Sequence, residues 1–301
     1  MTGAAYGYGA GSYAPGMIEL FQTVSASGER QVRQQLVAPS VYLDTWAIRV
    51  FSETAALGER LRTAILRAQG TLVLSDINLV EFTSMSDPSH TLEAGRLFDS
   101  LLPHLFLMRC DPTLVIEREV EVLKQKRHQS PVGDTRALAE FAAAAARRNG
   151  QFSASAWFSI VHSERTRLQP QLPGVAQVFY AQLGQLRERI AKERGALKLT
   201  PPEGARPPTL ALLQAILKDI QADHRLPEDP NSAIDLVHTV VPGAYCSFVL
   251  LDRQWCVRLR NATAKLRKAG ITAKVAAAYS KQNDGVERFL EALESWARAS
   301  S

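Results

Sequence analysis

The amino-acid sequence predicts an α/β fold in which a parallel β-sheet is flanked by helices and interrupted by a helical insertion. From about residue 37, short apolar segments alternate with longer amphipathic segments, a pattern typical of parallel strands connected by helices. The alternation stops after residue 127 and resumes near residue 231. With 301 residues, the chain has enough material for one large domain or two modest ones.

The first part of the predicted α/β domain covers residues 37–127. A helix break is expected at Gly58, Gly70 suits the position after a helix C-terminus, and Pro112 suits a first helical turn. Asp87-Pro88 is expected to end the preceding helix, because the residue before a proline avoids the helical conformation. Strands are predicted over residues 37–44, 71–75 and 105–109, and helices over residues 45–68, 77–85, 90–102 and 112–126.

Residues 128–230 are predicted to form an all-helical insertion that includes a proline-rich linker. Asp134 is a favourable N-cap for its first helix. The prolines between Lys198 and Pro208 are incompatible with a regular helix or strand. Helices are predicted over residues 134–148, 154–168, 177–194 and 210–222.

The second part of the α/β domain is predicted over residues 231–301, with Asn231 as the N-cap of its first helix. Strands are predicted over residues 245–251 and 271–276, and further helices over residues 252–268 and 285–297. Residues 1–36 form an N-terminal tail that begins with a stretch rich in Gly, Ala and Tyr. We expect this tail to be partly disordered, and it lacks the pattern of a secretory signal.

The composition is that of an ordinary globular protein, with 46% apolar and 22% charged residues. No apolar run reaches the roughly 18 residues that a transmembrane helix needs, so no membrane association is expected. The three cysteines form no CxxC pair, which argues against a disulfide framework and a zinc knuckle. A reducing cytoplasm is therefore the expected location.

The net charge of +5 and pI near 9.2 suggest an acidic partner. Residues 117–225 contain 17 Lys and Arg but only 11 Asp and Glu, so the positive surplus is predicted to belong to the insertion. A nucleic-acid surface and an ordinary solvated helix face explain this surplus equally well. Its densest basic positions are Arg147, Arg148, Arg165, Arg167, Arg187, Arg189, Lys192 and Arg194.

Four acidic residues, Asp44, Glu81, Asp235 and Asp252, lie at the ends of predicted strands or in the segments next to them. Ligands of an open parallel sheet bind beyond the carboxyl ends of its strands, so these acids are expected to converge. Converging carboxylates repel one another, which should raise at least one carboxyl pKa. Oxygen ligands of this kind suit Mg²⁺ or Mn²⁺.

Three segments of the sequence resemble the PIN-domain family of metal-dependent ribonucleases, which includes many bacterial toxins. The first two are Val41-Tyr42-Leu43-Asp44-Thr45 and Asn78-Leu79-Val80-Glu81. The third runs from Asp235-Leu236-Val237-His238 through Pro242 to Tyr245-Cys246-Ser247 and Leu251-Asp252-Arg253. The resemblance covers residues 37–127 and 231–299, leaves the insertion outside, and implies a three-layer PIN-like sheet.

The resemblance implies hydrolysis of RNA by Mg²⁺ or Mn²⁺ held by Asp44, Glu81, Asp235 and Asp252, which it identifies as catalytic and metal-binding residues. Thr45, His238, Ser247 and Arg253 would contact the substrate. RNA is thus an expected partner, together with an antitoxin or another protein, and a homo-oligomer is compatible with this picture. The chain departs from the family pattern in two places, with Trp46 where Asn is typical and Ser247 where an aspartate is frequent.

Structural roles account for the same residues without catalysis. Asp44 and Asp252 suit helix N-caps, Glu81 and Asp235 suit the polar face of a helix, and His238 suits a packed, hydrogen-bonded histidine. A catalytically degenerate PIN-like module that binds RNA or protein is therefore the alternative function. The sequence contains none of the motifs GxxxxGK[ST], HExxH and GxSxG, which disfavours the corresponding enzyme classes.

Overall fold

The fold is seen in a computed structural model that describes residues 19–24, 30–127, 129–147, 153–168, 206–222 and 230–299, with isolated positions between 177 and 188. The strands are β1 (Glu19–Val24), β2 (Arg30–Arg33), β3 (Ser40–Leu43), β4 (Thr71–Ser75), β5 (Leu105–Met108), β6 (Phe248–Leu250) and β7 (Ala277–Tyr279). The helices are α1 (Thr45–Glu53), α2 (Ala55–Arg67), α3 (Asp76–Thr83), α4 (Pro88–Ser100), α5 (Pro112–Lys124), α6 (Thr135–Arg147), α7 (Ala154–Ser163), α8 (Arg165–Leu168), α9 (Pro208–Ala222), α10 (Pro230–Tyr245), α11 (Arg253–Lys268) and α12 (Gly285–Ala299).

Five strands form one parallel sheet in the order β5-β4-β3-β6-β7. The central strand β3 comes from the first half of the chain and its neighbour β6 from the second half, with Tyr42 paired to both Val73 and Val249. The predicted α/β class with an all-parallel sheet is therefore confirmed. β1 and β2 pair separately as a two-stranded antiparallel sheet.

Alternate residues of the central strand enter two different apolar cores. Tyr42 belongs to the core formed with α5, α9, α10 and α11, whereas Val41 and Leu43 belong to the core formed with α1, α2, α4, α7 and α12. This alternation follows from the two-residue period of a strand buried on both faces. The helices α7 and α9 of the predicted insertion pack into these two cores.

The edge strand β5 is covered by residues from two other segments. The side-chain amide of Gln34 accepts a hydrogen bond from Leu107 N and donates one to Leu107 O, each at 2.8 Å, as a neighbouring strand would. Arg109 N donates to Val132 O at 2.9 Å, and Gly133 bridges to Met108. These contacts satisfy backbone groups that an open sheet edge would leave unpaired.

The two C-terminal strands each have only three residues, fewer than predicted. The other apolar residues of these segments are buried in the core without strand pairing. The predicted strand over residues 245–251 is limited to β6, since α10 continues through Pro242 and buries Val240, Val241 and Ala244. The predicted strand over residues 271–276 is wrong: β7 follows that segment, whose Ile271 and Ala276 are buried without strand pairing. Asn231 lies inside α10 instead of capping it.

Several helix boundaries differ from the prediction. The break is at Thr54, between α1 and α2, and Gly58 lies inside α2. A Cβ atom at Gly58 would come within 2.5 Å of the Phe51 carbonyl oxygen, so close backbone packing explains this glycine. The left-handed residue after α2 is Gln69 and not Gly70. Asp87-Pro88 begins α4 instead of ending α3, since the Asp87 side chain accepts a hydrogen bond from Ser89 N.

Other predicted features are confirmed or lie outside the described residues. The N-cap at Asp134 is confirmed by a 2.9 Å hydrogen bond from Ala137 N. In the part of the chain that the structure describes, no helix is both long and apolar enough to cross a bilayer. Residues 1–18, the 198–205 part of the linker, Arg148, Arg187, Arg189, Lys192 and Arg194 lie outside the described residues.

Candidate metal centre

Asp44 lies at the carboxyl end of the central strand, where β3 gives way to α1. Its backbone N donates to Leu250 O of β6 at 3.0 Å, which fixes it between the two halves of the sheet. Its side chain is 7% exposed and accepts a 2.6 Å hydrogen bond from Thr45 N as the N-cap of α1. The capping role predicted as an alternative is thus present, and one carboxylate oxygen remains for another partner.

Glu81 is brought towards Asp44 by the packing of α3 against β3. Ser75 and Asn78 form a capping box at the start of α3. The Asn78 amide also donates to Leu43 O and to Thr45 Oγ1, each at 3.3 Å. Thr45 Oγ1 in turn donates to Glu81 Oε2. These contacts hold α3 and its carboxylate at the carboxyl ends of β3 and β4.

His238 completes the cluster from α10. Its Nε2 atom lies 2.9 Å from Glu81 Oε2, and its Nδ1 atom is hydrogen-bonded to the Tyr42 hydroxyl. The Tyr42 hydroxyl also contacts Ser75 Oγ at 3.1 Å. Burial raises the pKa of Tyr42 well above its ordinary value, so Tyr42 is a neutral phenol that fixes the orientation of the imidazole.

One potential ligand atom each from Asp44, Glu81 and His238 lies within 4.8 Å of the others. Asp235 and Asp252 are outside this group. Asp235 is partly buried and accepts a 2.9 Å hydrogen bond from Trp255 Nε1. Asp252 is exposed and precedes α11 without a side-chain capping bond. Two of the four predicted acids therefore form the centre, and the other two lie farther out.

The electrostatics of the cluster depend on burial and on His238. Burial, together with the charges of Glu81 and Asp252, raises the pKa of Asp44 to about 7. Burial and Asp252 also raise the pKa of Asp235 to about 6. The predicted mutual repulsion of the acids is therefore present, but burial is the larger cause.

The pKa values of Glu81 and His238 shift in the directions expected of an ion pair. Burial lowers the pKa of His238, but the charge and hydrogen bond of Glu81 outweigh it and raise that pKa to about 9. Burial raises the pKa of Glu81, but His238 and the hydrogen bond from Thr45 outweigh it and lower that pKa. At neutral pH the metal-free cluster therefore contains an imidazolium paired with a carboxylate.

The cluster has the chemical composition of a cation site. Carboxylate oxygens are the ligands that hard divalent cations prefer, and an imidazole is a ligand for several transition metals. In the metal-free cluster, the protons on Asp44 and His238 offset negative charge that a bound cation would otherwise neutralise. The buried group Asp44, Glu81 and His238 can thus bind a metal ion once its protons are displaced.

The remaining predicted site residues occupy different places. Thr45 is buried and donates to Glu81, while Arg253 is exposed at the start of α11. Ser247 lies at the opposite end of the sheet: its Oγ atom accepts from Ser40 N at 3.2 Å, and Ser40 begins the strand whose far end leads to Asp44. The register between β3 and β6 thus keeps Ser247 away from the candidate metal centre.

Trp46 and Asp76 are further residues near the same edge. The indole Nε1 of Trp46 is buried and has no hydrogen-bond partner among the described residues, and its ring packs on the core that contains Val41 and Leu43. Asp76 begins α3, and burial together with Asp134 raises its pKa to about 6. Arg109 Nη1 lies 3.8 Å from Asp76 Oδ2 and 3.5 Å from Asp134 Oδ2, so these two carboxylates share one cation.

Sequence reasoning missed the buried hydrogen-bond chain from Ser75 through Tyr42 to His238. A tyrosine inside an otherwise apolar strand is the signal that was present, because a buried phenol requires a partner. The partner itself, 196 residues away, follows only from the fold. Of the basic positions predicted in the insertion, Arg167 is paired with Glu164 at 2.6 Å, as expected of a solvated helix surface.

The geometry places two carboxylates and an imidazole at the carboxyl edge of a parallel sheet, with two further acids nearby. No protein-family model, no curated protein and no solved structure matches the chain.

Proposed function

We propose that the protein is a metal-dependent endoribonuclease of PIN-like type that hydrolyses phosphodiester bonds of RNA. The observation that carries this proposal is the cluster of Asp44, Glu81 and His238, whose ligand atoms lie within 4.8 Å of one another at the carboxyl edge of the sheet. The sheet order, with β3 at the centre, is compatible with the PIN-like layout that the sequence suggests.

Asp44 and Glu81 would hold Mg²⁺ or Mn²⁺, with Asp235 and Asp252 contributing negative charge from farther out. Such a cation, when bound, orients a phosphodiester and activates water for attack. Tyr42, through its hydrogen bond to Nδ1, fixes the imidazole of His238 and so orients the carboxylate of Glu81. No protein nucleophile is required.

The acidic cluster alone repels an RNA backbone, so cationic groups must accompany it. Arg253 is exposed and follows Asp252 directly, which suits a contact with a phosphate next to the scissile bond. A toxin or RNA-processing role is compatible with this chemistry, and an antitoxin or other protein partner would then restrict access to the cluster.

A catalytically degenerate PIN-like module that binds RNA or protein is the second candidate, and one observation favours it. His238 and Glu81 already form an ion pair, with the pKa of His238 raised to about 9. This pair neutralises part of the cluster without a metal ion. A module that had lost catalysis would retain such a pair because removing either partner leaves a buried charge.

The deciding experiment measures both metal binding and RNA degradation. Wild-type protein should bind Mn²⁺ in calorimetry and degrade single-stranded RNA with Mn²⁺ or Mg²⁺ but not in a chelator. Asp44→Asn should lose both properties while remaining folded, since Asn is as good an N-cap as Asp.

Asp284→Asn is the matched control. Asp284 is exposed and has a φ of 54°, a conformation that Asn tolerates well, so the same change of charge should leave both properties intact. Metal binding without RNA degradation would favour the degenerate module. Absence of both in the wild-type protein would contradict the ribonuclease proposal.

A further inference from the structure

A strongly basic segment lies outside the predicted insertion. Residues 253–283 contain eight Lys and Arg and no Asp or Glu. The segment comprises α11, the following irregular residues and the edge strand β7. Such a local excess of one sign exceeds that of the insertion, where acids and bases are interspersed, and it points to an anionic ligand.

Three arginines of this segment form a stripe along α11. Arg253, Arg260 and Arg267 follow one another at seven-residue intervals and are all exposed. Seven residues bring an α-helix back to nearly the same face, with a drift of only about 20°. The stripe therefore extends for about 21 Å, given a rise of about 1.5 Å per residue. It begins directly after Asp252 and leads away from the metal centre.

The stripe borders an open groove between α11, β7 and α12. Two adjoining cavities, of about 760 Å³ and about 280 Å³, share Thr263 and Val275 and so form one continuous depression. Arg260 and Arg288 line the larger cavity and Arg267 lines the smaller one. We call this depression the basic groove. Its floor is formed by residues 275–279, mostly small side chains that leave space above them.

The cations of the basic groove are not neutralised by the protein that surrounds them. Elsewhere on α11, Lys265 pairs with Asp219 at 2.6 Å. In contrast, Arg260, Arg267 and Arg288 form no ion pair with any residue that the structure describes. Glu291 is the one carboxylate among the residues that line the groove. Uncompensated arginines in a depression favour an anionic ligand from solution.

Arg260 is held in place although it has no carboxylate partner. Its Nη2 atom donates a 2.6 Å hydrogen bond to Ala278 O on the outer edge of β7. This contact fixes the guanidinium while its other N–H groups remain available to a ligand. Tyr279, partly exposed at the end of β7, lines the same cavity, and its ring also packs against Phe248 and Phe289. A cationic groove with an aromatic side chain is typical of sites for single-stranded nucleic acid.

We propose that the basic groove binds the phosphodiester backbone of single-stranded RNA, on the part of the strand that extends beyond the metal centre. The identification of the polyanion as RNA rests on the proposed function. The location of the binding site rests on geometry: the arginine stripe begins beside Asp252, runs along α11 and borders the basic groove. Arg260, Arg267 and Arg288 are the phosphate contacts.

The test measures RNA affinity without catalysis. Binding of a labelled oligouridylate is followed by fluorescence anisotropy in a chelator, at salt concentrations from about 50 to 200 mM. The triple variant Arg260→Gln, Arg267→Gln, Arg288→Gln should bind about tenfold more weakly or worse at the lower salt. Its plot of log affinity against log salt should be shallower by about 2, at about 0.7 for each lost phosphate contact.

The matched control is the triple variant Arg62→Gln, Arg96→Gln, Arg136→Gln, which makes the same change of charge outside the groove. These three exposed arginines pair with Glu59, Glu93 and Glu140. The control should bind RNA as the wild-type protein does, and thermal denaturation should show both variants folded. Unchanged RNA affinity in the groove variant, or an equal loss in the control, would overturn the proposal.

Two further outcomes separate this inference from its alternatives. In a competition assay, polyglutamate is compared with unlabelled RNA of equal charge. If polyglutamate displaces the labelled RNA equally well, the groove belongs to an acidic protein partner and the RNA assignment is overturned. RNA that binds through the groove but is never cleaved would contradict the ribonuclease proposal and leave the groove assignment standing. Metal-dependent cleavage with unchanged KM in the groove variant would contradict the groove assignment and leave the ribonuclease proposal standing.

Discussion

The Nε2 atom of His238, on α10, lies 2.9 Å from the Oε2 atom of Glu81, on α3. The imidazole is 1% exposed and the carboxylate side chain 27% exposed, so little solvent screens their attraction. In the metal-free protein this ion pair neutralises part of the acidic cluster. A divalent cation would therefore have to compete with His238 for the carboxylate of Glu81.

Removal of His238 should destabilise the metal-free protein. His238→Gln leaves Glu81 beside Asp44 without a cationic partner, which we expect to lower the free energy of unfolding by about 2 to 4 kcal/mol. Chemical denaturation in a chelator measures this change. His90→Gln is the control, because His90 pairs with Glu53 at a half-exposed site, where such pairs contribute about 0 to 1 kcal/mol. An equal loss of unfolding free energy in the two variants would contradict a stabilising role of the His238–Glu81 pair beyond that of a surface pair.

The metal-free protein should lose stability as the pH rises from about 6 to 9. The folded-state pKa of His238 is raised to about 9, so its contribution is complete below its unfolded pKa of about 6.5 and is lost as pH rises through 9. The pKa of Asp44 is raised to about 7, so protonated Asp44 favours the folded state at low pH and this contribution is lost through pH 7.

Melting temperatures in a chelator across this pH range test that expectation, with Asp44→Asn as the comparison. The Asn variant cannot titrate at this position, so its curve should be flatter below pH 7. Above pH 7 its loss of stability should begin at a lower pH, because the charge of Asp44 no longer raises the pKa of His238. A melting temperature that rises with pH in the metal-free wild-type protein would contradict the assigned direction of both pKa shifts.

Metal binding should have the opposite pH dependence. Asp44 must lose its proton and His238 must give up its imidazolium charge for a cation to be stable there, so Mn²⁺ affinity should increase from pH 6 to 8. Calorimetry in buffers of different ionisation enthalpy should show protons released on binding. A cation bound at an exposed surface site would show neither the pH dependence nor the proton release, and such a result would contradict binding at Asp44.

Asp252→Asn should separate catalysis from stability. Asp252 is exposed and makes no capping hydrogen bond, so the free energy of unfolding should change by less than about 0.5 kcal/mol. Because we propose that Asp252 adds negative charge to the metal site, RNA cleavage with Mn²⁺ should be strongly reduced. Single-turnover cleavage at saturating RNA measures this, and full metal-dependent cleavage by the variant would exclude Asp252 from the site.

Ser247→Asp should damage the fold and leave the metal site unchanged. Ser247 is 8% exposed and exchanges hydrogen bonds with Ser40 at the amino end of the sheet, so a carboxylate there would be buried without a cation. We expect a loss of about 2 to 4 kcal/mol in unfolding free energy and unaltered Mn²⁺ affinity. Ser247→Ala should cost only about 1 kcal/mol. Tighter Mn²⁺ binding by the Asp variant would place this position near the metal after all.

The parallel sheet and the position of Asp44 at its carboxyl edge could be predicted from sequence, because each depends on a local pattern. β3, β4 and β5 are short apolar runs followed by helix-forming segments, and parallel strands direct their carboxyl ends to one edge. Asp44 therefore lies where the pattern predicts. The C-terminal strands were harder because Pro242 and Gly243 look like a helix end, yet they lie inside α10, which packs against the apolar core.

The hydrogen-bond partners of Ser247 and His238 could not be predicted, because they depend on long-range register. Ser247 faces Ser40 only because β6 pairs with β3 in this register. His238 meets Tyr42 across a separation of 196 residues. The basic groove was also missed, since the summed charge of the chain outside residues 117–225 is near zero and conceals a segment without any acid.

The pairing of β3 with β6 has a consequence for how the protein forms. Val41 pairs with Phe248, so the centre of the sheet cannot form until the ribosome has released both of these distant segments. Pairings of such sequence separation make folding slow. If the protein is the ribonuclease that we propose, it could not be active early during synthesis, because Asp252 follows β6, which β3 requires. The order of synthesis would then protect the cell's RNA, including the message being translated, from a partly made chain.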